Sequence, residues 1–311
     1  MAARLEDRRE GEATQRLIMD NKIYGVLDVG SNSVRALVYS DGKIIYTGLI
    51  TSRLGEGIAD SGKLSAEAMM RNRNAILTLR DKCLSFGADE PFVFATEAVR
   101  SADNGEEFVA LLKADGVDVE VISGEEEGEL SLLGALGGKD GGVIDIGGAS
   151  TEIVIAKGGK IVYSHSLPLG AVRLTDSCGE DENLLKTAIG AKIGEYGAVP
   201  KEAEYSFVGG TSTALAMISY GINKYDPEKI DGLTLSLSDI LRCLDIIKKN
   251  PLRERAEKLK ISEKRAEVVF AGAYMIKSVM ERFAIKKVTV KTADNMMGYL
   301  KKRVFGEKYE R

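Results

Sequence analysis

Two stretches of this chain are copies of one another. Gly25–Tyr46 (GVLDVGSNSVRALVYSDGKIIY) lies over Gly142–Tyr163 (GVIDIGGASTEIVIAKGGKIVY) without a gap, at a constant offset of 117 residues, and nine of the 22 positions are identical. Most of the others exchange one apolar residue for another. Self-similarity of this length marks a duplicated structural unit, so whatever fold the first copy adopts, the second must adopt too.

Each copy reads as strand, Gly/Ser turn, strand, tight turn, strand. The apolar runs Val26–Val29 and Ala36–Tyr39, with Val143–Ile146 and Ile153–Ala156, have strand length and β-branched content. Asp41-Gly42 and Gly158-Gly159 are two-residue hairpin signals. Helical stretches come between and after the copies. Ser65–Phe86 spaces Met69, Ile76, Leu79 and Cys83 near a helical period and stops at Gly87. Ser123–Gly137 opens with Ser123 and Glu126 in capping-box spacing, and Val268–Phe283 is amphipathic. Strand triplets alternating with helices predict an α/β protein. Two such halves with matched glycine-rich hairpins resemble the actin-like ATPase (ribonuclease H-like) superfold, in which phosphates sit between the halves. Residues 22–124 are expected to form the first domain and 125–295 the second, with 296–311 packing back on the first; 1–21 read as a flexible extension.

The bulk numbers narrow the chemistry. The chain has 311 residues, 44% hydrophobic and 29% charged, enough for a real core. It holds no run of about 18 apolar residues of the kind that spans a membrane, and its first 20 residues lack the apolar centre of a signal peptide. Cys83, Cys178 and Cys243 are widely spaced and odd in number, which suits a reducing compartment and predicts a cytoplasmic protein. A net charge of −4 argues against general nucleic-acid binding. With His165 the single histidine, chemistry must run on carboxylates, hydroxyls and backbone amides.

The two turns of the repeat, Asp28–Ser33 and Asp145–Thr151, have the composition of phosphate nests. Gly30, Gly147 and Gly148 permit close backbone approach, while Ser31, Asn32, Ser33, Ser150 and Thr151 supply further donors. An aspartate at each strand end, Asp28 and Asp145, suits a hard cation. Arg35 of the first copy is matched by Glu152 in the second, placing a carboxylate just past Ser150-Thr151. Gly209-Gly210-Thr211-Ser212 lies between a strand and a helix, a ready anion site. Glu127 shares a helical face with Leu130, Ser131 and Gly134, so it points inward and suits a general base. Arg100 and Arg265 are candidates for phosphate oxygens. Lys286, Lys287, Lys291, Lys301, Lys302 and Arg303 form a basic C-terminal region that would attract a long polyanion.

These strings resemble one family. LDVGSNSVRALVY, SRLGEGIADSGKLS, FATEAVRSADNGEEFV, VISGEEEGEL, VIDIGGASTEIVI, SLPLGAVRLT, FVGGTSTALA and RAEVVFAGAYMI follow in the order and spacing of the Ppx/GppA phosphatases, over about residues 22 to 290. The resemblance implies an exopolyphosphatase or guanosine pentaphosphate phosphohydrolase that releases terminal phosphate with Mg²⁺ or another hard divalent cation. It places the general base at Glu127, the metal and water-positioning carboxylates at Asp145 and Glu152, and phosphate loops at Ser31–Ser33, Gly147–Thr151 (including Ala149) and Gly209–Ser212. It assigns phosphate contacts to Arg100 and Arg265. It also implies a polyphosphate or pppGpp substrate and a homodimer. Longer members carry an added helical domain with His-Asp metal motifs, which one histidine cannot build, so this is a short form. The chain departs from the family at Ala149, where a third glycine is usual and positive φ is expected; at Glu129, where an arginine is frequent; and at Asp294–Gly298. Two other readings fit the same loops: an ATP-dependent small-molecule kinase of this superfold, and a non-catalytic nucleotide-binding protein.

Overall fold

A computed structural model describes residues 22–201 and 204–310; the expected N-terminal extension lies outside them. Strands β1 (Tyr24–Val29), β2 (Ser33–Ser40) and β3 (Lys43–Thr51) form an antiparallel meander. On the other side of β1, β4 (Phe92–Ala95) and β5 (Val119–Val121) add in parallel, giving the order β3-β2-β1-β4-β5. The second sheet repeats this order with β8 (Lys160–Leu167), β7 (Thr151–Lys157), β6 (Gly141–Ile146), β9 (Tyr205–Val208) and β11 (Lys287–Val290). It adds β10 (Thr234–Ser236) antiparallel at its edge. The duplication extends to backbone detail. Both hairpins shift register at equivalent places, Val38/Tyr39 and Ile155/Ala156. Both also turn through two residues of positive φ, 49° and 77° at Asp41-Gly42 and 62° and 74° at Gly158-Gly159. The duplicated α/β architecture is therefore as the repeat predicts.

The helices of the first half are α1 (Ile58–Ser61), α2 (Ala66–Ser85), α3 (Glu97–Arg100) and α4 (Gly105–Ala114); α5 (Gly124–Leu136) leads into the second. There follow α6 (Ala171–Cys178), α7 (Glu182–Lys192), α8 (Gly210–Tyr220), α9 (Pro227–Ile230), α10 (Leu237–Lys249), α11 (Leu252–Leu259), α12 (Glu263–Arg282) and α13 (Asn295–Arg303). Ser65 and Ser123 cap α2 and α5, the second as its spacing to Glu126 suggests, their hydroxyls accepting from the N–H of Ala68 and Glu126. Helix α12 begins at Glu263 rather than Val268, because Ser262 caps a polar first turn that apolar periodicity does not mark. Among the described residues no helix is long and apolar enough to cross a membrane, and all three cysteines are buried and free.

One helix is common to both halves. Leu130 of α5 joins Val26, Leu37, Tyr39 and Phe94 of the first sheet, together with Met296, Tyr299 and Leu300 of α13. On the other side of α5, Leu132 and Leu133 pack on Val143, Val154, Ala156 and Val208 of the second sheet. Its residues Glu127 through Gly134 are all buried. Helix α13 crosses it at two glycines: a Cβ on Gly134 would lie 2.0 Å from the Asp294 carbonyl oxygen, and one on Gly298 would lie 1.9 Å from that of Leu130. No side chain fits there.

The crossing makes a prediction. Gly298→Ala is expected to lower stability by about 3 kcal/mol through overpacking against immovable backbone. Gly190→Ala, in α7 with nothing within 4 Å of the added methyl, is expected to raise it by about 0.5–1 kcal/mol. Urea unfolding of both variants checks this; equal effects would refute the glycine crossing.

Candidate active site

The two turns of the repeat meet. Each is closed by the same backbone hydrogen bond, Gly30 N–H to Ser33 O (3.1 Å) and Gly147 N–H to Ser150 O (3.0 Å). A Cβ on Gly148 would lie 2.9 Å from Ser31 Cβ and 3.3 Å from the Asn32 nitrogen, so only glycine lets the turns approach this closely. The third turn joins them through Gly209 (φ 90°), whose absent Cβ would be 3.1 Å from an Asp145 carboxylate oxygen. Gly210 leaves room for the Arg265 guanidinium, which an added Cβ would strike at 2.1 Å. Ala149 is not among the residues of positive φ. The expected left-handed backbone does not occur there, and the methyl is buried without strain.

The copies diverge where the sheets end at this junction. In the first, Asp28 pairs in register with Arg35; in the second, Asp145 pairs with Glu152. Arg35 donates to Asp28, to Asp294, and at 2.8 Å to the Asn295 side-chain carbonyl. The second copy offers no such cation. Asp145 accepts from the Ser131 hydroxyl of α5 (2.6 Å) and Glu152 from Ser166 of β8 (2.7 Å). Glu127 enters from the first turn of α5, its carboxylate 3.5 Å from Arg100, which also donates to Glu97 and the Ile122 carbonyl. Gly128 brings α5 down onto β7: a Cβ there would meet Val154 at 2.4 Å and Glu152 Cβ at 3.6 Å.

Four carboxylates thus lie nearly inaccessible: Asp28 2%, Glu127 6%, Asp145 7% and Glu152 1% exposed. Burial, then the neighbouring charge of Glu152, holds Glu127 well above the ordinary carboxyl range, only partly offset by Arg100. Burial and Asp145 push Glu152 up to about 8. Asp145 is pushed up to about 6 by burial, against the Ser131 hydrogen bond. Burial also pulls Arg265 down to about 10, with Arg35 as its like-charged neighbour. The second sheet therefore presents an acidic wall that gains by taking up positive charge.

The donor set fits a hard divalent cation. Asp28 Oδ1, Asn32 Oδ1 and Glu152 Oε2 are buried oxygens with no hydrogen-bond partner, and oxygens are what such ions take. Among the described residues no three acidic, histidine or cysteine side chains form a ready-made cage, so water and phosphate would complete the coordination. Two hydroxyls singled out from sequence serve the fold instead, Thr151 donating to the Leu169 carbonyl and Ser212 to that of Gly209, while Thr211 Oγ1 is buried beside Gly272 of α12 with no hydrogen-bond partner. What α8 offers an anion is the free N–H groups of its first turn. The basic C-terminal region is largely committed as well. Lys302 pairs with Glu126 and Glu129, Arg303 with Glu120 and Glu126, Lys301 with Glu307 and Lys291 with Asp231. Lys302 thereby neutralises Glu129. Sequence reading missed Ser131, Ser166, Asp294 and Asn295; only the Ser131 position on the face of Glu127 signalled its place.

Comparison with known proteins agrees with this geometry. A model of the Ppx/GppA phosphatase family matches residues 41–293. Exopolyphosphatase 2 of Mycobacterium tuberculosis is 29% identical over 306 residues, covering 88% of this chain and 95% of that protein. A crystal structure of the Aquifex aeolicus Ppx/GppA family member superposes with a TM-score of 0.75 at 29% identity, covering 93% of this chain and 99% of that one. An exopolyphosphatase-like protein superposes with a TM-score of 0.83 at 26% identity, covering 89% and 97%. By its duplicated fold, its paired glycine-rich turns and this match over most of its length, the chain belongs to the Ppx/GppA phosphatase family.

Proposed function

We propose that the chain releases the terminal phosphate of inorganic polyphosphate or pppGpp, with Glu127 as general base. The observation that carries this reading is the placement of Glu127. It is a buried carboxylate at the start of the central helix, with Arg100 on one side and the Asp145–Glu152 wall on the other. The name of the mycobacterial relative supports polyphosphate as substrate class.

Phosphoryl transfer needs positioning and neutralisation of charge more than covalent chemistry. The N–H groups left free in the Ser31–Ser33, Gly147–Thr151 and Gly209–Ser212 turns hold the terminal phosphate, that of Gly147 being used to close its own turn onto Ser150, and Arg265 and Arg100 face its oxygens. Glu127 accepts a proton from water aimed at phosphorus, and its raised proton affinity makes it a competent base once ionised. A Mg²⁺ ion bound by Asp145 and Glu152 would supply charge neutralisation for the phosphate oxygens. Because Lys291, Lys301, Lys302 and Arg303 of the C-terminal basic region are tied to acids of this chain, the reading favours short phosphate chains or nucleotides over long polymers.

Phosphate release is measured with Mg²⁺ from short polyphosphate, long polyphosphate, pppGpp and ATP. Strong release from one of the first three is expected, with Glu127→Gln slower by about 10³-fold, in the range of general-base losses. Release untouched by the substitution would sink the mechanism. The acidic wall also predicts a pH effect on the metal-free chain. Glu152 holds its proton up to about 8 when folded, against 4.5 for an ordinary glutamate. Its contribution to stability is therefore complete below that lower value and is lost as pH rises through the upper one. Glu152→Gln is expected to flatten this decline and to exceed the wild type at alkaline pH by on the order of 2 kcal/mol. Denaturant titrations across the window decide it.

A further inference from the structure

The arginines bordering the cleft differ in how firmly they are held. Arg35 is locked between Asp28 and Asp294, and Arg100 between Glu97, the Ile122 carbonyl and Glu127. Arg173 is held by the Ala149 carbonyl and Glu97. Those anionic side chains are 3% to 14% exposed. Arg53 is different. Its partners, Glu267 of α12 and Glu56, are 35% and 52% exposed, and ion pairs at a wet rim contribute little net free energy.

The backbone of Arg53 is nonetheless tightly specified. Its N–H donates to the Asn32 carbonyl (3.0 Å), as does that of Ser52 (3.2 Å), and the Gly55 N–H donates to that of Ser31 (2.9 Å). The residue is thus laid directly on the first phosphate turn. It also takes a left-handed conformation, φ 49°, which a side-chain-bearing residue adopts at a cost. From there its side chain crosses the cleft to Glu267, two residues along α12 from Arg265. Beside it, Lys264 of α12 donates to the Thr51 carbonyl and the Gly57 backbone bonds to Asp176 of α6. The segment from Thr51 to Gly57 therefore clasps the far wall of the cleft, with one exchangeable cation at its centre.

We propose that Arg53 is a substrate-positioning residue that binds a phosphate beyond the one cleaved, and that Glu267 holds its guanidinium until the incoming anion displaces it. Arg53 and Arg265 then grip the chain from opposite walls. A phosphate offers the guanidinium fork more charge and two oxygens, while the displaced Glu267, already at the rim, returns to water at small cost. This assignment rests on the hydrolase reading above.

The test uses inorganic tripolyphosphate, followed both by phosphate release and by calorimetric binding, with wild type, Arg53→Gln, Glu267→Gln and the double variant. Arg53→Gln is expected to raise KM and Kd by about 10-fold or more, a typical cost for a lost charged contact. Glu267→Gln is expected to lower both by about 3-fold, leaving kcat within about 2-fold, and to have no effect once Arg53 is gone. Opposite signs are the signature of exchange. A clasp that is merely structural makes both substitutions act in the same direction, and that result overturns the proposal, as does an unchanged Kd in Arg53→Gln. Opposite shifts in Kd without phosphate release by the wild type would uphold Arg53 and reject the hydrolase reading alone.

Discussion

The structure depends on one steric fact, that α5 lies between two sheets with no room to spare. A helix buried on every side cannot show the polar and apolar faces of a surface helix, and here Glu127 through Gly134 are all inside. Leu130 belongs to the first sheet's core, Leu132 and Leu133 to the second's. Gly128 lowers the helix onto β7, while Gly134 and Gly298 let α13 cross it backbone to backbone. Because α5 is positioned by both halves, its first turn sits where they meet. That is how a carboxylate is carried into a region that would otherwise exclude it.

The duplication supplies the second constraint. Two copies of one hairpin, with matching turns and matching register shifts, bring like turns together. Symmetry alone would give two equivalent floors. The exchange of Arg35 for Glu152 breaks it. The first floor becomes a paired network in which Asp28 and Asp294 share one guanidinium, that of Arg35, which ties the sheet to the start of α13 and leaves only one Asp28 oxygen unpartnered. The second becomes an acidic wall with an unpartnered carboxylate oxygen. One copy thus serves as framework, and the other keeps its charge for chemistry.

The departures from the family pattern look different once packed. Ala149 carries no left-handed strain. Glu129 gains Lys302 of α13 as partner. Asp294 and Asn295 hold Arg35 and start α13. A charge that seems out of place along the chain is satisfied by a residue far away in sequence, and no reading of local composition reveals that.

The amino-acid sequence by itself determined the duplicated α/β plan, the strand and hairpin positions, the helix cap at Ser123, and the turns that carry glycines and hydroxyls. These are local: periodicity, turn chemistry and repetition act within a few residues of one another. It also marked Glu127, Asp145 and Glu152 as carboxylates in unusual settings. Only the tertiary structure decided that these three share one buried wall, that the hydroxyls of Thr151, Ser212 and Thr211 turn inward, and that Lys291, Lys301 and Lys302 are neutralised. The reason is that desolvation and ion pairing depend on which distant segments close over a group. Helix α13 and the Thr51–Gly57 segment meet their partners only after the chain has returned across both sheets.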